Sequence, residues 1–238
     1  LYCDDEAVIG APFYLMERVN GVILRPRMPE EMVPSPAIMA GIADGLIDTL
    51  VELHGLDYRA AGLADFGRPE GYVERQIKGW TQRYHRAKTD EITEMEQVAE
   101  WLNVHLPAGA APSIIHNDYK YDNLVLDADD WTRVIAVLDW EMATLGDPLM
   151  DLGTSIAYWV DPGDPEVMQQ LRLSPTNLPG NLSRAEVVER YAARSGRDVS
   201  NIVFYYAYGL FKVAVIVQQI YYRFRRGHTS DPDRKSVV

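Results

Sequence analysis

The feature that most narrows what this chain can fold into is the spacing of three oxygen-bearing side chains. Asp118 stands in His116-Asn117-Asp118-Tyr119-Lys120-Tyr121-Asp122-Asn123, and Asp139-Trp140-Glu141 begins sixteen residues after Asn123. Around them lie short apolar, strand-forming runs at residues 113–116, 123–126 and 134–138, the last two separated by the turn-forming Asp127-Ala128-Asp129-Asp130. A strand, loop, strand, turn, strand unit places Asp118, Asn123 and Asp139 around one crevice. Singly, Asp118 and Asp122 read as turn residues, Asn123 as a strand cap and Asp139 as a surface carboxylate. As a set, they have the spacing of a phosphoryl-transfer loop and its metal-binding Asp, where a carboxylate meets the attacking hydroxyl and hard oxygens hold magnesium.

The rest of the chain has to support such a unit. Of 238 residues, 47% are apolar and 24% charged, which gives material for a real core and rules out a disordered or fibrous class. A net charge of −12 argues against a nucleic-acid partner. The only cysteine, Cys3, cannot form an internal disulfide, which points to a reducing, cytoplasmic setting. Residues 202–217 are apolar but interrupted by Lys212, so they read as a core helix and not a membrane span. The start Leu1-Tyr2-Cys3-Asp4 carries neither an initiator Met nor a signal-peptide pattern, and the chain reads as a piece of a longer protein.

Strands are expected at residues 7–9, 13–19 and 22–24, with Asn20-Gly21 as a hairpin turn. Helices are then expected from Ser35-Pro36 to about Gly55, from Pro69, over 91–105, from Asp147-Pro148, from Ser183 with its Glu186 capping box, and over 201–226. His116 is expected to orient the loop through hydrogen bonds. A metal-dependent hydrolase is the competing use of a His-x-Asp pair, but His54, His85, His105 and His228 lack ligand spacing.

The segments Ile115-His116-Asn117-Asp118 through Asn123-Leu124-Val125-Leu126, and Val134-Ile135-Ala136-Val137-Leu138-Asp139-Trp140-Glu141 through Leu145-Gly146-Asp147-Pro148-Leu149-Met150-Asp151-Leu152, resemble the aminoglycoside phosphotransferase superfamily of kinase-like proteins. Together with Phe66-Gly67-Arg68-Pro69-Glu70-Gly71-Tyr72-Val73-Glu74-Arg75-Gln76, they resemble its branch of kinase-like domains associated with acyl-CoA dehydrogenases. The resemblance implies an α+β fold: a protein-kinase-like C-terminal lobe over 21–238, mainly helical with a small central β region, and a remnant of the N-terminal lobe sheet and hinge over 1–20. It also implies ATP and Mg2+ as cofactors and a small-molecule hydroxyl as acceptor. Asp118 would be the base. Asn123, Asp139 and Glu141 would hold the metal, Lys120 would neutralise the transferred phosphate, and Asp151 would brace the loop from inside. In the hinge, Met16, the Glu17 carbonyl and the Val19 N–H would meet adenine, with Val125 and Leu138 flooring the ring.

The resemblance favours a hydroxyacyl-CoA-like acceptor over an aminoglycoside, with the basic residues Arg75, Lys78, Arg83 and Arg86 available to its phosphates. Trp80, Tyr84, Tyr158 and Trp159 are candidates for the acceptor pocket. No glycine-rich loop, strand lysine or partner glutamate can be placed ahead of Phe13, so the chain alone is expected to transfer phosphate poorly. A kinase-like nucleotide- or partner-binding module is the alternative. Nothing in the sequence sets an oligomeric state.

Overall fold

A computed structural model describes residues 1–171 and 173–228. In chain order the elements are β1 (Tyr2–Cys3), β2 (Phe13–Tyr14), α1 (Pro36–Gly55), α2 (Tyr72–Ala87), α3 (Thr93–Val104), β3 (Ser113–Ile115), β4 (Leu124–Leu126), β5 (Val134–Val137), β6 (Thr144–Gly146), α4 (Pro148–Ala157), α5 (Glu166–Leu171), α6 (Arg184–Ser195) and α7 (Ile202–Arg225). Helices dominate an α+β arrangement whose strands form three two-stranded antiparallel ladders: β1 with β2, β3 with β6, and β4 with β5.

Local chemistry sets the helix starts. Ser35 accepts the Ile38 N–H ahead of Pro36, and Asp147 accepts the Leu149 N–H ahead of Pro148. Ser183 and Glu186 form a full capping box, and α6 ends on a left-handed Gly196. The helix expected from Pro69 starts later, at Tyr72, because Gly71 takes a left-handed conformation (φ 62°). The short α5 was not signalled by the sequence.

The N-terminal strands differ from expectation. Residues 7–9 form turns, β2 is confined to Phe13–Tyr14, and its partner is β1. Asn20-Gly21 makes no hairpin turn. Val22 instead exchanges both backbone hydrogen bonds with Leu126 (2.9 and 2.8 Å), extending β4. Glycine is needed at 21 for close approach: a Cβ there would collide with the Leu126 carbonyl and the Val125 side chain.

The core lies between α1, α2, α4 and α7. By length and composition α7 could cross a membrane. Here it buries Phe204, Tyr205, Tyr208, Phe211 and Val215 and packs on α2, α3 and α4. Its crossing with α4 is close because Gly153 faces the Tyr205 carbonyl and Gly209 faces the Gly153 carbonyl, leaving no room for a Cβ on either. That crossing fixes the helices that reach the loop between β3 and β4.

Candidate active site

The loop after β3 is bonded from several sides. Asn117 is left-handed (φ 67°), a conformation that non-glycine residues adopt at a cost of about 1 kcal/mol or more, and asparagine tolerates best. Every polar position of Asn117 is occupied. Its N–H donates to Asp151 Oδ1 (2.8 Å) and its Nδ2 to the Met142 carbonyl (2.9 Å). Its Oδ1 accepts the Tyr72 hydroxyl (3.0 Å) and its carbonyl accepts Lys212 Nζ (2.6 Å). Asp151, from α4, is fully buried and also accepts the His116 N–H (2.6 Å) and His54 Nε2–H (3.2 Å). Burial pushes the Asp151 carboxyl up, but the His54 hydrogen bond, the His54 charge and the His116 N–H outweigh it and hold it below the usual carboxylate range. The structural brace expected of Asp151 is thus in place.

His116 links two loops. Its Nε2–H donates to the Leu138 carbonyl (2.8 Å), which leaves Nδ1 to accept the Asp118 N–H (3.3 Å). It therefore ties the residue before Asp139 to Asp118. Asn123 closes the set: its Nδ2 donates to the Asp118 carbonyl (2.8 Å) and Oδ2 (3.2 Å), while its own carbonyl accepts the Leu138 N–H (2.8 Å). Lys120 Nζ lies 2.9 Å from Asp118 Oδ2 and 4.9 Å from the Tyr158 ring centre. Burial, reinforced by the Asp118 charge, raises the Tyr158 phenol.

Asp139 is also left-handed (φ 66°) and begins a 3-10 turn over Trp140–Met142 that carries Glu141. Both acidic side chains are exposed and have no hydrogen-bond or ion-pair partner among the described residues. No protein donor among them reaches Asn123 Oδ1. The donors on offer are hard oxygens: Asn123 Oδ1 and the Asp139 and Glu141 carboxylates. Among the described residues no three His, Cys, Asp or Glu side chains form a cage of their own. This fits magnesium, which typically takes one or two carboxylates and draws the rest of its shell from phosphates and water.

A loop built in this way has a family. Residues 1–184 match the model of the phosphotransferase enzyme family. The chain belongs to that family. It is 36% identical to human acyl-CoA dehydrogenase family member 11 over 98% of this chain and 30% of the relative. It is 34% identical to mouse acyl-CoA dehydrogenase family member 10 over 96% of this chain and 21% of the relative. The chain thus spans less than a third of the length of these relatives. Among solved structures, a Ralstonia eutropha JMP134 protein, named among the aminoglycoside phosphotransferases, superposes with a TM-score of 0.86 at 36% identity. It covers all of this chain and 71% of that one. A macrolide 2'-phosphotransferase shares the fold alone, at 15% identity, a TM-score of 0.59 and coverage of 94% and 66%. The fold is that of a phosphotransferase, kinase-like, with a partial N-terminal sheet.

Within this phosphotransferase fold, the other sequence candidates divide. Met16, Glu17 and Val19 are exposed, and the Glu17 carbonyl and Val19 N–H have no partner among the described residues. Leu138 is partly buried beside Asn123, but Val125 is 2% exposed beneath Gly21 and offers no free face for a ring. Its expected role as a floor therefore does not fit the packing. Trp80, Arg75 and Arg83 line one cavity with Lys212. Tyr84 and Trp159 belong to the core, Trp159 donating to the Leu182 carbonyl (2.7 Å). Lys78 turns outward to Glu74 (2.6 Å). Lys212, which the sequence offered only as a break in an apolar run, is the residue near the site that sequence reasoning missed.

Proposed function

We propose that this phosphotransferase moves the γ-phosphoryl group of ATP, with magnesium, to a hydroxyl of a small molecule. The observation that carries the reading is the Asp118 carboxylate, held at once by Asn123 Nδ2 and Lys120 Nζ, at the end of a loop fixed by His116, Asn117 and Asp151. In this arrangement Asp118 orients the acceptor hydroxyl and takes its proton as the oxygen bonds to the γ-phosphorus and the bond to the nucleotide's bridging oxygen breaks. Asn123 Oδ1, Asp139 and Glu141 are the oxygens that would hold the ion, which supplies charge neutralisation on the phosphates. Lys120, freed from Asp118 when substrate arrives, sits within reach of the phosphate in transit. Such catalysis is mostly positioning, which matches a loop in which every polar group of Asn117 is engaged.

The acceptor we favour is hydroxyacyl-CoA-like rather than an aminoglycoside. Its support is the kinship with proteins named acyl-CoA dehydrogenase family members. The test is transfer of labelled γ-phosphate to hydroxyacyl-CoAs and aminoglycosides by the gene product that contains this chain. Asp118→Asn is expected to lower kcat by about 10²–10⁴-fold with the KM for ATP little changed. Unchanged turnover in that variant would refute the assigned base, and transfer to aminoglycosides alone would refute the acceptor.

A further inference from the structure

Beside the catalytic loop, against α2, lies a cavity of about 430 Å³ lined by Arg68, Arg75, Arg83 and Lys212 around Trp80 and Asn117. No Asp or Glu lines it, in a chain whose net charge is −12. Lys212 is 2% exposed, and one of its three N–H donors goes to the Asn117 carbonyl. The other two have no acceptor among the described residues. Arg83 lies 4.5 Å over the Trp80 ring, and Lys212 Nζ lies 5.7 Å from the same ring centre, so the indole face partly offsets both charges. Arg75 donates to the Glu70 and Arg68 carbonyls, while the Arg68 and Arg83 guanidinia meet no carboxylate among the described residues. The two lysines of this region are neutralised: Lys78 pairs with Glu74, and Lys88 with Glu91 and Glu96. A buried ammonium without a counter-ion is unfavourable, and guanidinium groups gathered without carboxylates match the fork geometry of a phosphate.

We propose that this cavity binds a phosphate group carried by the acceptor, with Lys212 at its floor and Arg83 at its rim. This rests on the phosphotransferase reading and adds the place where the acceptor is gripped. Lys212 also holds the carbonyl of the residue before Asp118, so the cavity and the catalytic loop share one side chain. A polycationic acceptor would be repelled from the same place.

The test uses the full chain and inorganic phosphate as the probe. The reporter is the Trp80 indole N–H in proton–nitrogen NMR spectra, with Trp101, Trp131, Trp140 and Trp159 as internal controls. Saturable shifts are expected at Trp80, weakened at least tenfold by Arg83→Gln, on an exposed helix face, and by Lys212→Met. Mg-ADP is expected to leave them in place, because the site belongs to the acceptor. In turnover by the gene product, Arg83→Gln is expected to raise KM about tenfold for phosphate-bearing acceptors while leaving KM for ATP. Phosphate shifts that survive both variants overturn the proposal, as does displacement of phosphate by Mg-ADP, which would assign the cavity to the nucleotide. A gene product containing this chain that transfers phosphate to none of the acceptors, while the chain binds phosphate this way, would instead refute the catalytic reading and leave the site standing.

Discussion

Lys212 shows how far a single residue can depart from its helix. It sits in an apolar run where a Leu or Met would pack without charge, and it is buried between α2, α4 and the catalytic loop. Burial pushes its ammonium down from the ordinary 10.5 to about 8. The charges of Asp151 and Asp118 oppose that shift, and those of Lys120 and Arg83 add to it. Between pH 8 and 10.5 the unfolded chain therefore binds more protons at this position than the folded one, so folded stability rises with pH across that window. Urea unfolding of the wild type, referenced to Lys212→Met at each pH, is expected to show the wild type gaining up to about 3 kcal/mol over that range. A flat difference would mean the ammonium is not desolvated. At this scale the sequence was legible where function is local. Asp118, Asn123 and the orienting His116 lie within eight residues, and their hydrogen bonds follow from that proximity. Lys212 reaches the same loop from 95 positions away, a relation that no local pattern encodes.

The elements matter through how closely they approach. α4 delivers Asp151 to the His116 and Asn117 N–H groups, and α7 delivers Lys212 to the Asn117 carbonyl, so their crossing sets the loop. In an exposed helix Gly→Ala is favourable by up to about 1 kcal/mol. At Gly153 the new Cβ would meet the Tyr205 backbone, which cannot move without α7, and overpacking of this kind costs about 1–3 kcal/mol or more. Gly153→Ala is therefore expected to be destabilising by thermal unfolding and to lower kcat more than KM, since the loop moves with the helices. An unchanged or raised Tm would contradict the packing argument. The capped helices were readable because Ser35, Asp147 and Ser183 act on backbone within three residues. Asn20-Gly21 misled because the same glycine serves either a turn or a close approach, and only the presence of β4 decides between them. β6 went unread because a three-residue strand is visible only through its partner, β3.

In the whole molecule, charge is distributed against its average. An acidic chain gathers four cations in one cavity from the loop before α2, from α2 itself and from α7, and leaves the Asp139 and Glu141 carboxylates without an ion-pair partner among the described residues. The family match and the superposition fix the architecture, and the two left-handed residues, Asn117 and Asp139, mark where the fold accepts backbone strain. The central claim is that Asn123, Asp139 and Glu141 share one divalent ion with a nucleotide. It is tested most directly by electron paramagnetic resonance titration of Mn2+, an octahedral oxygen-seeking stand-in for magnesium, in the presence of ADP. The account predicts one ADP-dependent Mn2+ site per chain, weakened at least tenfold by Asp139→Asn and by Asn123→Ala. Binding of the ion and ADP that is indifferent to both substitutions would contradict it.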